Sequence, residues 1–280
     1  MVGIRGIWDA LFAYPRYMGV IKPSLRMETK EQLEARLASA SIRLWPKKLS
    51  APIGERILAF SPHADDESIG AGGLLLAHRG VANVHVLTVF NGDGGGRLTN
   101  PNPAELDPAR AMVSARDQEI RRACDRLKAD YLGCLGFSDG APTADVLTAS
   151  DRLAILVKAL RPDVVILPSV FDTHPDHRAA NLLWAKACGS LPCMVLGSEI
   201  WTLLQPNAYF EITEQMEEKL TLVAGFGTQT ATIDYVGLVG AVARLRGFQE
   251  GCGRHHFGAA EAFFALPNRD YSKLAELMCS

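Results

Sequence analysis

The sequence lacks the features by which membrane proteins and nucleic-acid-binding proteins are usually identified. Its 280 residues contain no apolar run long enough to cross a bilayer, so no membrane span is predicted. Asp and Glu total 31 against 29 Lys and Arg, which gives a formal net charge of −2. This balance lacks the positive excess typical of proteins that bind nucleic acids. We therefore expect no nucleic-acid partner.

The sequence also lacks any Cys-x-x-Cys pair. Its six cysteines are Cys124, Cys134, Cys188, Cys193, Cys252 and Cys279. We interpret them mostly as reduced, small apolar side chains, which favours a reducing compartment. The N-terminus shows no long apolar region followed by a small-residue cleavage site, so a secretory signal is not expected. These observations predict a cytoplasmic protein.

Two regions are predicted: a helical extension over residues 1–50 and a main domain over residues 51–280. One apolar face of a short helix is formed by Ile4, Ile7, Trp8, Leu11 and Phe12. This face could lie on a membrane surface, but its polar side has few Lys or Arg residues. Packing on its own domain or on a second subunit is therefore favoured, which allows a homo-oligomer.

Short apolar runs alternate with helical patterns in the first part of the main domain. Strands are predicted over residues 56–60, 83–90, 131–135 and 163–168, and helices over residues 74–78, 109–128, 148–160 and 178–189. This alternation predicts an α/β fold with a mostly parallel sheet. Beyond residue 189 the pattern is weaker and suggests strands over residues 193–196 and 200–204.

Two clusters of histidines and acidic residues follow predicted strands. Residues 62–67 read Pro-His-Ala-Asp-Asp-Glu, and residues 174–177 read His-Pro-Asp-His. Imidazole and carboxylate groups together are the ligands that zinc and iron use in proteins. The first cluster alone could be only a helix cap. Two clusters at the same end of a parallel sheet, however, predict one metal-dependent hydrolytic site.

Weaker candidates lie elsewhere at the same predicted edge of the sheet. Asp93 and Arg97 could contact substrate from a glycine-rich loop that lets backbone approach a ligand closely, or the loop could be only a mobile one. Asp139 follows a further strand. Arg116 and Glu119 are three residues apart on one helix face, and we expect a structural ion pair rather than a role in supporting the site.

These motifs resemble those of the LmbE-like or PIG-L zinc-dependent N-acetylglucosaminyl deacetylases, which read Pro-His-Pro-Asp-Asp-Glu and His-Pro-Asp-His. Ala64 stands where that family usually has proline. The resemblance covers about residues 56–264 and leaves the first fifty residues without a counterpart. It implies a Rossmann-like three-layer fold and removal of an acetyl group from an N-acetylated amino sugar or its conjugate.

The resemblance also implies a role for each motif residue. The implied roles are metal ligand for His63, Asp66 and His177, general base for Asp65, general acid and oxyanion stabiliser for His174, and orientation of a histidine for Asp176. Zn²⁺ is the expected metal, although a carboxylate ligand also admits Fe²⁺ or another divalent ion. Three protein ligands leave one position for water, as catalytic zinc sites require.

Alternatives from other classes stay open at this point. A non-haem iron oxygenase could use His63, Asp65 and His177 as its ligands, although such oxygenases are expected on β-rich folds. Glycines at positions 70, 72 and 73 suggest a dinucleotide-binding loop, which would leave His177 unexplained. A non-catalytic sugar-binding protein would contain metal and hydrolyse no amide. The substrate's second part could belong to a glycolipid, a nucleoside or antibiotic precursor, or a thiol-conjugate precursor.

Overall fold

Eight strands form one mixed sheet in the computed structural model, which describes residues 46–98 and 107–280 apart from the side chain of His256. The strands are β1 Lys47–Leu49, β2 Arg56–Ser61, β3 Asn83–Phe90, β4 Asp130–Phe137, β5 Val164–Pro168, β6 Met194–Ser198, β7 Ala208–Glu211 and β8 Ala260–Pro267. The predicted extension lies outside the described residues as far as residue 45. The sheet itself begins at Lys47, four positions before the predicted start of the main domain.

Helices connect most of these strands. They are α1 Asp66–Ala77, α2 Pro108–Leu127, α3 Thr143–Val146, α4 Ser150–Leu160, α5 Pro175–Cys188, α6 Met216–Ala224, α7 Gly227–Thr230, α8 Tyr235–Gln249 and α9 Asn268–Cys279. The four strands and the long helices predicted between residues 56 and 189 are confirmed. The strand predicted over residues 200–204 is wrong: those residues form a loop between β6 and β7.

The strand order across the sheet is β1-β7-β8-β6-β5-β2-β3-β4. Among the described strands only β8 runs antiparallel to its neighbours, β6 and β7. The predicted α/β fold with a mostly parallel sheet is therefore confirmed. From β2 the chain proceeds to β3 and β4 on one side, whereas from β5 it proceeds to β6 on the other. The adjacent pair β2 and β5 is thus a topological switch point, where ligands bind at the carboxyl ends of the strands.

Two apolar cores lie on opposite faces of the sheet. Ile57 and Ala59 of β2 face the core shared with α1, α2, α6 and α8. Leu58 and Phe60 face the core shared with α4, α5 and α9. Because successive strand residues point to opposite faces, both sides of this buried strand are apolar. The result is three layers, with the sheet between two layers of helices.

In the part of the chain that the structure describes, no helix combines the length and the hydropathy needed to cross a bilayer. All six cysteines are free thiols, and four of them are buried. The location of the protein stays a prediction.

His78 is the C-cap residue of helix α1, and its ring makes two hydrogen bonds to the backbone. Its Nδ1 lies 2.7 Å from the carbonyl oxygen of Leu74, and its Nε2 lies 3.0 Å from the backbone nitrogen of Ile53. The ring can satisfy both contacts only when it is neutral, with Nδ1 donating and Nε2 accepting. Burial lowers the pKa of His78, although the Leu74 carbonyl opposes the effect.

We expect the free energy of unfolding to fall at mildly acidic pH because of His78. Its pKa is lower in the folded chain than in the unfolded chain, so below about pH 6.5 the unfolded state binds more protons and is favoured. Urea unfolding at about pH 7.5 and about pH 5.5 should show a larger loss of stability for the wild type than for His78→Gln, whose side chain does not titrate. Equal losses in the two proteins would contradict this account.

Candidate metal centre

The two polar motifs meet at the switch point between β2 and β5. Residues 63–67 follow the carboxyl end of β2, and residues 172–177 follow that of β5. The two strands are parallel neighbours, with Leu58 beside Val165. Their carboxyl ends therefore lie at the same edge of the sheet, and the structure brings six predicted site residues together there: His63, Asp65, Asp66, His174, Asp176 and His177.

His63, Asp66 and His177 present their ligand atoms to one another. Oδ2 of Asp66 lies 3.4 Å from Nδ1 of His63 and 3.4 Å from Nε2 of His177. One ligand atom from each residue falls within 4.8 Å of the other two. This spacing suits a single metal ion with two imidazole ligands and one carboxylate ligand. The three residues are named here the ligand cluster.

The buried ring of His177 supports the presence of a ligand. It is fully buried, and neither of its nitrogens makes a hydrogen bond of good geometry. An unpaired buried polar atom costs free energy, so an orphaned ring nitrogen facing two other ligand atoms favours a bound cation. A second group, His63 with Asp139 and Asp176, also lies within ligand distance. There, however, Asp176 is already satisfied by hydrogen bonds from the backbone nitrogen of Gly140 at 3.0 and 3.1 Å.

The charges of the ligand cluster also favour a cation. Burial alone would lower the pKa of His63, but the carboxylates of Asp176 and Asp66 outweigh it and raise the pKa to about 10. Burial of His177 is likewise outweighed by Asp66 and Asp172, and its pKa rises to about 9. Asp66 is buried too, yet the two histidines hold its pKa well below the usual range. The cluster thus stabilises positive charge, which a divalent ion would provide.

Two further carboxylates orient the ligand histidines. Oδ2 of Asp176 lies 3.0 Å from Nε2 of His63, and Oδ1 of Asp172 lies 3.3 Å from Nδ1 of His177. Each contact leaves the other ring nitrogen facing Asp66. Carboxylates that hold the outer nitrogen of a metal-binding histidine are the usual support for such ligands. Asp172 was not among the candidates from the sequence, although it stands two positions before the second motif.

Removing the charge of Asp172 is expected to weaken metal binding about 10- to 100-fold. An Asp172→Asn side chain keeps the shape but no longer holds His177 as strongly in the orientation that points Nε2 at Asp66. Competition with a chromogenic chelator would measure the affinity. Asp151→Asn, at an exposed position in the first turn of α4, is the control and should bind metal like the wild type. Equal affinity in both variants would show that Asp172 does not support the ligand.

Asp65 lies beside the ligand cluster without belonging to it. Its backbone φ is 142°, a value that non-glycine residues rarely adopt and that is typical of strained functional positions. Its Oδ1 lies 3.5 Å from a guanidinium nitrogen of Arg116, which also donates to the carbonyl oxygen of Ala64 at 3.0 Å. Burial raises the pKa of Asp65, and Arg116 opposes the rise. Neighbouring Glu67 is also buried, and its pKa rises to about 8.

The ion pair expected between Arg116 and Glu119 is wrong. Arg116 contacts the first motif, whereas Glu119 accepts hydrogen bonds from the backbone nitrogen and hydroxyl of Thr228 at 2.8 and 2.6 Å. The spacing does place both side chains on one face of α2. Both are buried, and each binds a different partner beside the site: Arg116 binds the first motif, and Glu119 binds helix α7.

His174 begins helix α5 and presents its second nitrogen as a donor. Its Nδ1 accepts a hydrogen bond from the backbone nitrogen of Asp176 at 3.2 Å, so the neutral ring carries its hydrogen on Nε2. Burial and the positive charges of His177 and His63 lower the pKa of His174. The ring also stacks on Trp201, with centroids 6.1 Å apart.

Of the three weaker candidates, Asp93, Arg97 and Asp139, only Asp139 lines the site. Asp139 lines the site: its Oδ1 is 3.9 Å from Nε2 of His63, and its carboxylate accepts from the backbone nitrogens of Gly92 and Gly94. Asp93 instead accepts from the backbone nitrogen of Asp139 at 2.9 Å and braces the glycine-rich loop. Arg97 is exposed. Neither Asp93 nor Arg97 is among the described residues that line the cavity.

A cavity of about 180 Å³ opens above the ligand cluster. Residues of both motifs line this cavity, together with residues from the part of the chain beyond residue 189, where the sequence pattern is weaker. The residues of that region which line the cavity include Ile200, Trp201, Gln229 and Tyr235. The two motifs include none of these four residues.

Helix α1, which carries Asp66, is bent and braced by a buried ion pair. Ala71 departs from helical geometry, with φ −146° and ψ 15°. Nζ of Lys219 donates to the carbonyl oxygen of Ile69 at 2.8 Å and pairs with Glu261 at 2.5 Å. Glu261 in turn accepts from the backbone nitrogens of Gly73 and Leu74 at 2.7 and 2.8 Å. The pair therefore satisfies the backbone groups on both sides of the bend.

The glycines of α1 serve packing rather than nucleotide binding. A Cβ atom on Gly70 would stand 2.5 Å from Oγ of Ser198, and one on Gly73 would stand 2.5 Å from Cγ2 of Ile212. These contacts are too short for any side chain, so the glycines allow the helix to lie against its neighbours. The dinucleotide-binding alternative is wrong, because these residues are buried within the helix rather than in an open loop.

Comparison with known proteins agrees with the family resemblance of the two motifs. Residues 58–188 match the family model described as PIG-L: GlcNAc-PI de-N-acetylase. One similar protein is a probable N-acetyl-alpha-D-glucosaminyl L-malate deacetylase 2 of Bacillus anthracis, 26% identical over 192 residues, or 63% of this chain and 82% of that protein. Another is the 1D-myo-inositol 2-acetamido-2-deoxy-alpha-D-glucopyranoside deacetylase of Thermobifida fusca, 27% identical over 190 residues. That match covers 59% of this chain and 65% of the relative.

Solved structures share the fold. One is the N,N'-diacetylchitobiose deacetylase of Pyrococcus horikoshii with its inhibitor MPG, with a TM-score of 0.67 and 18% identity over 88% of this chain and 96% of that one. Another is GalB, the 4-carboxy-2-hydroxymuconate hydratase of Pseudomonas putida, with a TM-score of 0.62 and 21% identity over 76% and 96% of the two chains. Since these neighbours differ in reaction, the fold alone does not select the chemistry.

Proposed function

Because residues 58–188 are a PIG-L (LmbE-like) family domain, we propose that this chain is a metal-dependent N-deacetylase that removes the acetyl group of an N-acetylated amino sugar or its conjugate. The observation that carries the proposal is the ligand cluster with Asp65 beside it in one cavity. Both deacetylase relatives are named for acetylated glucosamine conjugates, which supports the sugar part of the substrate.

His63, Asp66 and His177 would hold the metal. Two imidazoles and one carboxylate suit Zn²⁺, and the same set also accepts Fe²⁺. When bound there, the metal would act as a Lewis acid on the amide carbonyl and lower the pKa of the attacking water toward about 7. The buried, orphaned Nε2 of His177 supports this assignment.

Asp65 is proposed as the general base. It faces the cavity, and its raised pKa brings it nearer to neutral pH, where a carboxylate can both accept and return a proton. Arg116 lies 3.5 Å from the carboxylate and opposes the rise in the pKa of Asp65, which favours the charged form that a base needs. Asp65 would take a proton from the attacking water as that water adds to the acetyl carbonyl.

His174 is proposed to stabilise the oxyanion of the tetrahedral intermediate. Its neutral ring presents Nε2–H to the cavity, and a fixed donor of this kind favours the developing negative charge. Because the pKa of His174 is lowered, a neutral donor suits it better than a protonated acid. The proton that the departing amine needs would then be returned by Asp65.

The structure favours deacetylation over the remaining alternatives. A two-histidine, one-carboxylate oxygenase site was expected to use Asp65, but the carboxylate within ligand distance of both histidines is Asp66. The sheet is also mostly parallel and flanked by helices rather than β-rich. A non-catalytic sugar-binding protein would not need a buried carboxylate on strained backbone beside its metal ligands.

Elemental analysis of the purified protein, together with acetate release from a panel of N-acetylated amino sugars, would test the proposal. We expect one divalent metal per chain, acetate released from at least one sugar, and loss of both metal and activity in His177→Ala. A wild-type protein that binds no metal even after reconstitution would overturn the proposal. So would metal-loaded protein that releases no acetate from any of the sugars.

A further inference from the structure

A second cavity adjoins the metal cavity. It has a volume of about 250 Å³ and lies between α8, the loop that follows β6 and the bend of α1. Four residues line both cavities: Ile69, Ile200, Trp201 and Tyr235. A molecule bound at the metal cavity could therefore extend past Trp201 and Tyr235 into the second cavity, which is named here the apolar cleft.

The side chains of the apolar cleft leave no free charge for a polar ligand. Its walls are mainly aliphatic, including Leu203, Leu238, Val239 and Val242. The charged residues that reach it are already paired, Lys219 with Glu261 and Glu199 with Arg246. A phosphate or carboxylate placed here would lose water without gaining a free charged partner. An apolar group, in contrast, would gain free energy by leaving water.

The loop that follows β6 and forms one wall of the apolar cleft is held in place by hydrogen bonds. Glu199 accepts a hydrogen bond from the backbone nitrogen of Leu204 at 2.7 Å, and Arg246, paired with Glu199, donates to the carbonyl oxygen of Leu204 at 2.8 Å. These buried contacts hold both ends of the loop. Between them, the backbone nitrogen of Trp201 donates to Oδ2 of Asp172 at 3.0 Å. Asp172 also orients His177, so one carboxylate fixes the position of the cleft relative to the ligand cluster.

Large apolar side chains form the rim of the apolar cleft. Trp201 is 52% exposed, and Leu203 and Leu238 are each 57% exposed. A contiguous apolar rim beside a catalytic cavity usually marks a surface that a ligand covers. Because four residues line both cavities, the simplest occupant of the cleft is another part of the same substrate.

We propose that the apolar cleft binds an alkyl or aryl aglycone of the substrate while the N-acetylated sugar occupies the metal cavity. This inference rests on the proposed deacetylase function and narrows its substrate class. Among conjugates of an amino sugar, it favours those with an apolar aglycone over nucleotide conjugates and other highly polar ones.

The dependence of kcat/KM on chain length would test the proposal. Acetate release from metal-loaded protein is compared for methyl, butyl and octyl N-acetylglucosaminides, each below the concentration at which it forms micelles. We expect kcat/KM to rise about two- to fourfold for each added methylene until the chain outgrows the cleft. Calorimetric binding of the methyl and octyl glycosides to a metal-loaded Asp65→Asn variant, in which we expect turnover to be lost, measures the binding preference separately.

A double variant at the rim makes the test specific. Leu203→Glu with Leu238→Glu places two charges beside the cleft at exposed positions, where folding tolerates them. We expect the ratio of octyl to methyl kcat/KM to fall at least about fivefold. The matched control is Leu277→Glu on α9, where the leucine is 78% exposed and the helix packs on the opposite face of the sheet. The ratio should not change in that variant.

The outcomes separate this proposal from the function on which it rests. Acetate released equally from all three glycosides, with equal binding, would overturn the cleft proposal and leave the deacetylase function standing. Tighter binding of the octyl glycoside without acetate from any sugar would support the cleft and overturn the deacetylase. Self-association that the rim variant abolishes, with no preference for chain length, would assign the cleft to a subunit contact and overturn the proposal.

Discussion

An Asp65→Asn variant is expected to keep its metal and to lose about 10²- to 10⁴-fold in kcat for acetate release. Asp65 faces the cavity but is not one of the three clustered ligands, so its removal takes away a proton acceptor rather than a metal bond. Asn is the suitable replacement because it keeps the shape and tolerates positive φ better than most residues. Metal content and kcat should be measured on the same preparation.

Asp66→Asn is the matched control for this experiment. The two residues are adjacent and equally buried, and the substitution is the same. Because Oδ2 of Asp66 lies 3.4 Å from both ligand histidines, this variant should lose the metal as well as the activity. If Asp65→Asn lost the metal and Asp66→Asn kept it, the division between base and ligand would have to be reversed.

Removal of Glu261 is expected to cause the largest loss of stability. In a Glu261→Leu variant, Lys219 is left as an unpaired buried charge, and the backbone nitrogens of Gly73 and Leu74 lose their acceptor. Breaking a buried pair on one side costs about 3–5 kcal/mol of the free energy of unfolding. Denaturant unfolding would measure the loss. Because the pair braces the bend of α1, metal affinity should fall as well.

Two further variants show whether the charge pair is the cause. Adding Lys219→Met to Glu261→Leu removes the stranded charge, so the double variant should be less destabilised than the sum of the two single variants. Asp117→Ala breaks an exposed pair with Arg121 on α2 and should cost no more than about 1 kcal/mol. If Glu261→Leu cost no more than Asp117→Ala, the brace would have no structural importance.

The parts of the fold that follow from local pattern could be predicted from the sequence. The apolar runs before His63 and His174 have the length and composition of buried strands, and β2 and β5 stand where they were expected. Two motifs at the ends of parallel strands are sufficient to predict one site. The contact between His63 and Asp176, 113 positions apart, follows from that arrangement.

The parts that depend on tertiary contacts could not be predicted in the same way. Trp201 lies in a loop whose apolar residues resemble a strand, and only its anchors, Glu199 and Asp172, give it a position. Arg116 and Glu119 share a helix face, but in the folded chain each binds a group far away in the sequence rather than the other. The bend in α1 depends on Glu261, which is 188 positions from Gly73, and no spacing in the sequence indicates that the two are in contact.

The central claim is that the two motifs form one metal centre that hydrolyses an acetyl amide. It is tested most directly by removing the metal with a chelator and titrating a divalent metal back while acetate release from an N-acetylglucosaminide is followed. We predict no activity in the metal-free protein and a linear return that reaches its maximum at one metal per chain. Undiminished acetate release from the metal-free protein, or full metal binding without acetate release, would contradict the account.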